Sequence, residues 1–165
     1  MPVGWLLVCL CLGAACADYP EYGHWPDAYY ISTREFTGGT TFAGVGAYAL
    51  NRTQMIAGNS TPQVISFLAT PGVTPYRIGD GLLPADLDGS TLPPAGTPNF
   101  YIGSQDNGGP YGAPSDALNL WEFHVDFVTP ANSTFTGPLG GLYEWLLSGF
   151  TVIGTGSPGG AGTDW

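Results

Sequence analysis

Leu118-Asn119-Leu120-Trp121-Glu122-Phe123-His124-Val125-Asp126-Phe127 is the stretch whose reading decides the fold. From Trp121 onward it alternates: Trp121, Phe123, Val125 and Phe127 fall on one face, Glu122, His124 and Asp126 on the other. That period of two is the signature of a strand with one face buried. Its apolar face carries three aromatic rings, so neighbouring strands must supply an opposing layer. The chain is expected to be all-β and built of antiparallel sheets.

Upstream, Ala28 to Ser32 reads as a short strand, and Gly38-Gly39 breaks the chain. Val45 to Asn51 sets Val45, Ala47 and Ala49 on one face and Tyr48 and Leu50 on the other, which predicts a strand buried on both sides. Gln54 to Gly58 turns back. Gln63 to Ala69 makes a third strand, ended by Thr70-Pro71-Gly72. The pattern then restarts: Leu82 to Gly89 is a loop or short strand, Asn99 to Gly103 a strand, Gln105 to Pro114 a turn-rich loop, Ala117 to Phe127 the central strand, and Ser133 to Thr136 the start of its partner. The repeat is loose. Pro26 to Ser32 corresponds to Pro84 to Gly103, and Val45 to Asn51 to Leu118 to Phe127, with a period of about sixty to seventy residues, longer than the forty to fifty of propeller blades. Asp18 to Pro26 reads as an irregular aromatic approach. Leu139 to Phe150 is the one helical candidate, opposed by Gly140, Gly141 and Gly149.

Charge narrows the function. Thirteen acidic residues face three arginines and no lysine, for a net charge of −10. Nucleic acid is a poor candidate partner, because binding it requires a lysine or arginine footprint, and so is an anionic membrane surface. The 44% hydrophobic and 13% aromatic content supply the burial that a disordered chain lacks.

Residues 1–17 read as a secretory signal peptide. Val3 to Leu12 is an apolar run of h-region length, Ala15-Cys16-Ala17 offers small residues for cleavage before Asp18, and the run is too short to span a bilayer. The n-region has no Lys or Arg, and lipidation of Cys16 is the alternative. All three cysteines, Cys9, Cys11 and Cys16, lie in this leader, so the mature chain would have neither a disulfide nor a zinc–thiolate site. Asn51, Asn59 and Asn132 head sequons that accept glycans in a eukaryotic secretory pathway. From 148 to 165 the chain is a Gly/Ser/Thr-rich tail ending in Asp164-Trp165, which suggests a fragment or a tail that completes another copy's sheet.

Four segments in order carry a resemblance: Trp25-Pro26-Asp27-Ala28-Tyr29-Tyr30; Asn51-Arg52-Thr53-Gln54-Met55-Ile56-Ala57-Gly58; Leu83-Pro84-Ala85-Asp86-Leu87-Asp88-Gly89 with Pro93-Pro94-Ala95-Gly96; and Leu120 to Phe127 with Asn132-Ser133-Thr134-Phe135. The succession resembles that of large secreted bacterial and fungal proteins of uncharacterised function with β-propeller-like repeats. The resemblance runs from about Asp18 to Gly137. It implies a propeller-like region over 18–147 with about two blades, incomplete as a propeller, and implies almost nothing about activity. This chain is far shorter than those proteins and has a Gly-rich tail after Leu142.

Several constellations bear chemistry. Glu122, His124 and Asp126 share a polar strand face, a His flanked by carboxylates, but Glu122 to Asp126 spans roughly 13 Å along a strand, too far for a two-carboxylate mechanism without a partner from another strand. Asp86 and Asp88 have the oxygen density of a calcium loop without an EF-hand's later glutamate, and read as a polar turn. Ser104-Gln105-Asp106-Asn107-Gly108-Gly109-Pro110-Tyr111 partly resembles the Asp-box of sialidase-type propellers, a structural turn. Trp25, Tyr29, Tyr30, Tyr48, Tyr101, Tyr111 and Trp121 are enough rings for a sugar-stacking platform, half or more being core. His24 near Asp27 is a further pair. There is no nucleophile elbow, nucleotide loop or His-Glu-x-x-His, and no cofactor or metal is expected. The sequence thus points to a secreted non-catalytic binding or scaffolding module for a polysaccharide or surface protein, with Trp25, Asp27, Tyr29, Asp86, Asp88, Glu122, His124 and Asp126 as its ligand-binding candidates. One alternative is a propeller-type glycoside hydrolase or lyase using Asp27, Asp86, Glu122 or Asp126. The other is a structural surface protein that assembles through open sheet edges.

Overall fold

The computed structural model describes residues 15–139, apart from 73, 74, 79 and 80. Its strands are β1 (Ala15–His24), β2 (Ala28–Thr37), β3 (Thr41–Asn51), β4 (Val64–Ala69), β5 (Leu83–Pro84), β6 (Asn99–Gln105), β7 (Ala117–His124) and β8 (Thr134–Thr136). They form two antiparallel four-stranded sheets, each in chain order: sheet one is β1-β2-β3-β4 and sheet two is β5-β6-β7-β8. The fold is all-β, with a single α-helix, α1 (Arg52–Ile56), among the described residues. These residues form two sheets and no closed ring.

Local chemistry explains the elements. The Asn51 side chain accepts from the Gln54 amide and caps α1, so the expected turn back after β3 is one helical turn. β2 continues to Thr37 rather than stopping at Ser32, because β3 pairs with it from Ala28↔Asn51 to Thr37↔Thr41. The irregular approach expected at Asp18 to Pro26 is instead a strand through His24. Its alternation is interrupted by a register shift between Asp18 and Glu21, where Pro20 has no N–H to give to the ladder. β1 begins at Ala15, inside the expected leader, and a chain cleaved before Asp18 keeps the pairs Asp18↔Arg34 and Glu21↔Ser32 to His24↔Tyr29. The central strand ends at His124 rather than Phe127, because the Asp126 amide donates to Ser133 Oγ. Except for its first residue, the helical candidate at Leu139 to Phe150 lies outside the described residues, as does the 148–165 tail.

The sheets pack face to face. Register puts Ala28, Tyr30, Val45, Ala47, Ala49, Ile65 and Ala69 of sheet one on the side facing Tyr101, Trp121 and Phe123 of sheet two, and all are buried. The Tyr30 ring meets Phe123 edge-on at 5.3 Å, Phe67 meets Phe123 at 5.3 Å, and Trp121 stacks on Phe135 at 5.3 Å. The Tyr101 hydroxyl donates to the Ile31 carbonyl across the interface, and Ser32 Oγ donates to Leu82 O. Trp121 and Phe123 therefore do what their alternation predicts, and Ala47 and Ala49 of β3, buried in the same core, form its opposing floor.

Candidate functional site

The meander order of the sheets determines which loops meet. In sheet one the hairpin His24↔Tyr29, the pair Ala28↔Asn51 and the pair Leu50↔Val64 lie at one end. In sheet two that role falls to Pro84↔Tyr101, Asn99↔Phe123 and His124↔Thr134. Three cross-sheet bonds show that these are the same end of the molecule: Trp25 Nε1 donates to Thr97 O at 3.1 Å, the Leu87 amide to His24 O at 3.1 Å, and the His24 amide to Asp86 Oδ1 at 2.8 Å. Gly23 makes this approach possible, since a Cβ there would overlap the Ala85 carbonyl. The eight sequence candidates, scattered from 25 to 126, gather around this end.

Within it five of them fall into two groups. In the first, Asp86 Oδ1 lies 2.5 Å from His24 Nδ1 on an exposed flank. The His24 backbone amide, and then its ring, hold the Asp86 carboxyl below the usual carboxylate range. Tyr22 stands two residues earlier on the same outer face of sheet one, 66% exposed, with Glu21 before it. Asp88 is exposed just beyond Asp86.

In the second group, Tyr30 OH donates to both carboxylate oxygens of Asp27, each at 3.3 Å. Asp27 is exposed as a residue, but partial burial of its carboxyl beside Tyr30 raises it above its ordinary value, against the opposing pull of its hydrogen bonds and of His124. Burial and then the Asp27 charge push the Tyr30 phenol well above its own. His124 is exposed, and its charge also reaches Asp126. Asp126 Oδ1 accepts from the Val128 and Thr129 amides at 2.9 and 2.8 Å, and Oδ2 from Asn132 Nδ2 at 3.2 Å; these bonds, led by Thr129, lower its pKa. Its first job is to shape the loop between β7 and β8.

Other candidates are placed differently from their expected use. The Trp25 ring is buried, and its indole N–H clamps the 84–99 loop, so it supports the end rather than facing a ligand. Tyr29 is half-buried, with the Arg52 guanidinium 6.0 Å from its ring centre. Glu122 is half-buried on the outer face of sheet two, between Phe100 and Thr136. His24 pairs with Asp86 and not with Asp27. Of the seven rings of the expected stacking platform, Trp25, Tyr30, Tyr48, Tyr101 and Trp121 are buried; among the described residues the exposed tyrosine rings are Tyr19 and Tyr22, on β1, where the sequence predicts an irregular approach. Among the described residues no group of three or more His, Cys, Asp or Glu is arranged to hold a metal.

The opposite end carries a small cavity of about 90 Å³, lined by residues that include Tyr76, Asp106 and Tyr111. It falls below the roughly 300–1,000 Å³ of ordinary ligand pockets. The Asp-box-like segment folds here as a turn, with Asp106 Oδ1 accepting from the Gly108 amide at 2.7 Å and Asp116 Oδ1 from the Asn107 amide at 2.9 Å. No described helix is long and apolar enough to cross a membrane. Compared with known proteins, the chain matches no family model, no curated protein and no solved structure.

Proposed function

We propose that the chain is a secreted, non-catalytic binding module, related to propeller-like repeat proteins, that engages a hydroxyl-rich extracellular ligand through the loop end. A polysaccharide is the preferred ligand class, and a surface protein the alternative. One observation carries the reading: an exposed aromatic ring, Tyr22, lies on the same face as His24, whose partner Asp86 is an exposed carboxylate. Rings that stack on sugar faces, beside acids that accept hydroxyl hydrogen bonds, are what glycan recognition uses. The net charge of −10 favours neutral glycans over anionic ones. The test is a glycan array probed with wild type, Tyr22→Ala and Asp86→Asn. Retention of a neutral glycan that both substitutions weaken supports the reading, and retention that neither affects contradicts it. Secretion is tested by N-terminal sequencing of protein from culture medium, with Asp18 as the expected first residue.

A second reading is favoured by the acids around His124. Carboxyls whose environments push their pKa values apart are an acid/base signature, and of the two acids that feel His124, Asp27 is raised while Asp126 is lowered. A hydrolase of this kind would use Asp27 as proton donor. The three donors already engaged by Asp126 weigh against its acting as base or nucleophile. Reducing-end release from a polysaccharide panel, lost in Asp27→Asn while binding persists, would favour the enzyme over the module.

A further inference from the structure

A sheet edge with unpaired N–H and C=O groups is a template for another strand, and stable proteins blunt it with charge, proline, a bulge or brevity. The four edges here differ in that protection. β1 has Asp18, Pro20, Glu21 and a register shift, and its His24 carbonyl is taken by the Leu87 amide. β5 is two residues long and one is Pro84, and β8 is three residues long. β4 has none of these devices. Its six residues, Val64–Ala69, contain neither proline nor charge, they pair with β3 without a register shift, and among the described residues β4 adjoins no other strand.

The charge distribution says what fits that edge. In a chain of net charge −10, Arg52 is the one charged residue between Phe36 and Tyr76, the span that holds β3, α1 and β4. Two copies can therefore meet there without bringing their acids together. The same span exposes Met55, Ile56 (64%), Val64 (49%) and Leu68 (51%). The strand is also self-complementary. Opposed residues of an antiparallel pair lie on one face, so a register centred on Ser66 sets Val64 against Leu68 of the partner subunit and Ile65 against Phe67 of the partner subunit. Exposed apolar residues then meet exposed ones, and core-facing residues meet core-facing ones.

We propose that the β4 edge is a self-recognition surface, on which a second copy of this chain docks antiparallel about a two-fold axis to join the two copies of sheet one into a continuous eight-stranded sheet. This narrows assembly through open edges to one edge and one geometry, and it does not depend on what the loop end binds.

The test is sedimentation velocity of the full chain over a wide concentration range, for wild type, Ser66→Lys, Leu68→Lys and Leu83→Lys, with circular dichroism confirming the fold of each. Ser66→Lys sets two cations against each other across the axis, whereas Leu83→Lys alters an equally exposed leucine on sheet two. The expected result is a concentration-dependent dimer whose Kd rises roughly tenfold or more in Ser66→Lys and Leu68→Lys, and stays unchanged in Leu83→Lys. If Ser66→Lys loses its fold, Leu68→Lys, at an exposed position of the same strand, gives the reading. A monomer at every concentration, a dimer indifferent to both β4 substitutions, one equally weakened by Leu83→Lys, or open-ended growth beyond the dimer would overturn the proposal.

Discussion

Sheet one brings mostly small side chains to the shared core, Ala28, Val45, Ala47, Ala49 and Ala69 beside the rings of Tyr30 and Phe67, on strands of ten, ten, eleven and six residues; sheet two brings Tyr101, Trp121, Phe123 and Phe135 on strands of two, seven, eight and three. The rings of one sheet fill the space that the alanines of the other leave. Close packing of this kind is sensitive to volume at both kinds of position. Sheet two, with the shorter strands, has more of its chain in the loops, and from them come Asp86, Asp88, Asp126 and Thr97 of the candidate end.

The largest expected effect is Phe123→Ala, which removes a fully buried ring touching Tyr30, Phe67, Tyr101 and Phe135; it should destabilise by about 3–5 kcal/mol in denaturant unfolding. The reciprocal change, Ala47→Leu on the floor, adds volume where there is none and should cost about 1–3 kcal/mol. If Ala47→Leu proves neutral, the floor is looser than this packing implies. Tyr101→Phe keeps the ring and deletes the hydroxyl that the Ile31 and Tyr48 carbonyls of sheet one share as acceptors; about 0.5–1.5 kcal/mol is expected, with folding intact.

Smaller effects sharpen the contrast between the carboxyls. Asp126 has a lowered pKa, so the stability it contributes is present above its ordinary value of 3.8 and is lost as pH falls through its folded pKa. Asp126→Asn should flatten the acid limb of the stability profile. Asp27 has the opposite sign: its folded pKa is raised by burial, so its contribution is full below 3.8 and is lost as pH rises through the folded value. Asp27→Asn should therefore remove a decline in stability that begins just above pH 3.8, as chemical denaturation at stepped pH would show. The smallest change is Asp86→Asn, about 0–1 kcal/mol, because the pair with His24 is exposed.

The core was legible where it is periodic. Trp121, Phe123 and Val45, Ala47 and Ala49 of β3 declare their faces through alternation, and all are buried as that alternation predicts. Legibility fails where a side chain takes over a backbone partner. Beyond His124 the alternation continues to Phe127, yet the ladder stops because Ser133 Oγ accepts the Asp126 amide. β1 was hidden by its own bulge at Tyr19-Pro20, and with it the exposed rings of Tyr19 and Tyr22. The candidate acids were recognisable as residue types, but their pairing was not. His24 meets Asp86 across 62 positions of sequence, a distance no local spacing encodes, while the nearer Asp27 lies under the Tyr30 hydroxyl.

The most direct test of the loop end as the recognition surface is a 15N chemical-shift map of the protein titrated with neutral hexasaccharides, xylan-, chitin- and laminarin-derived. Shifts concentrated at Tyr22, His24, Asp86 and His124, with the amides around Asp106 and Tyr111 unmoved, are the predicted result. Shifts confined to the Asp106 end, or none with any hexasaccharide, would contradict it.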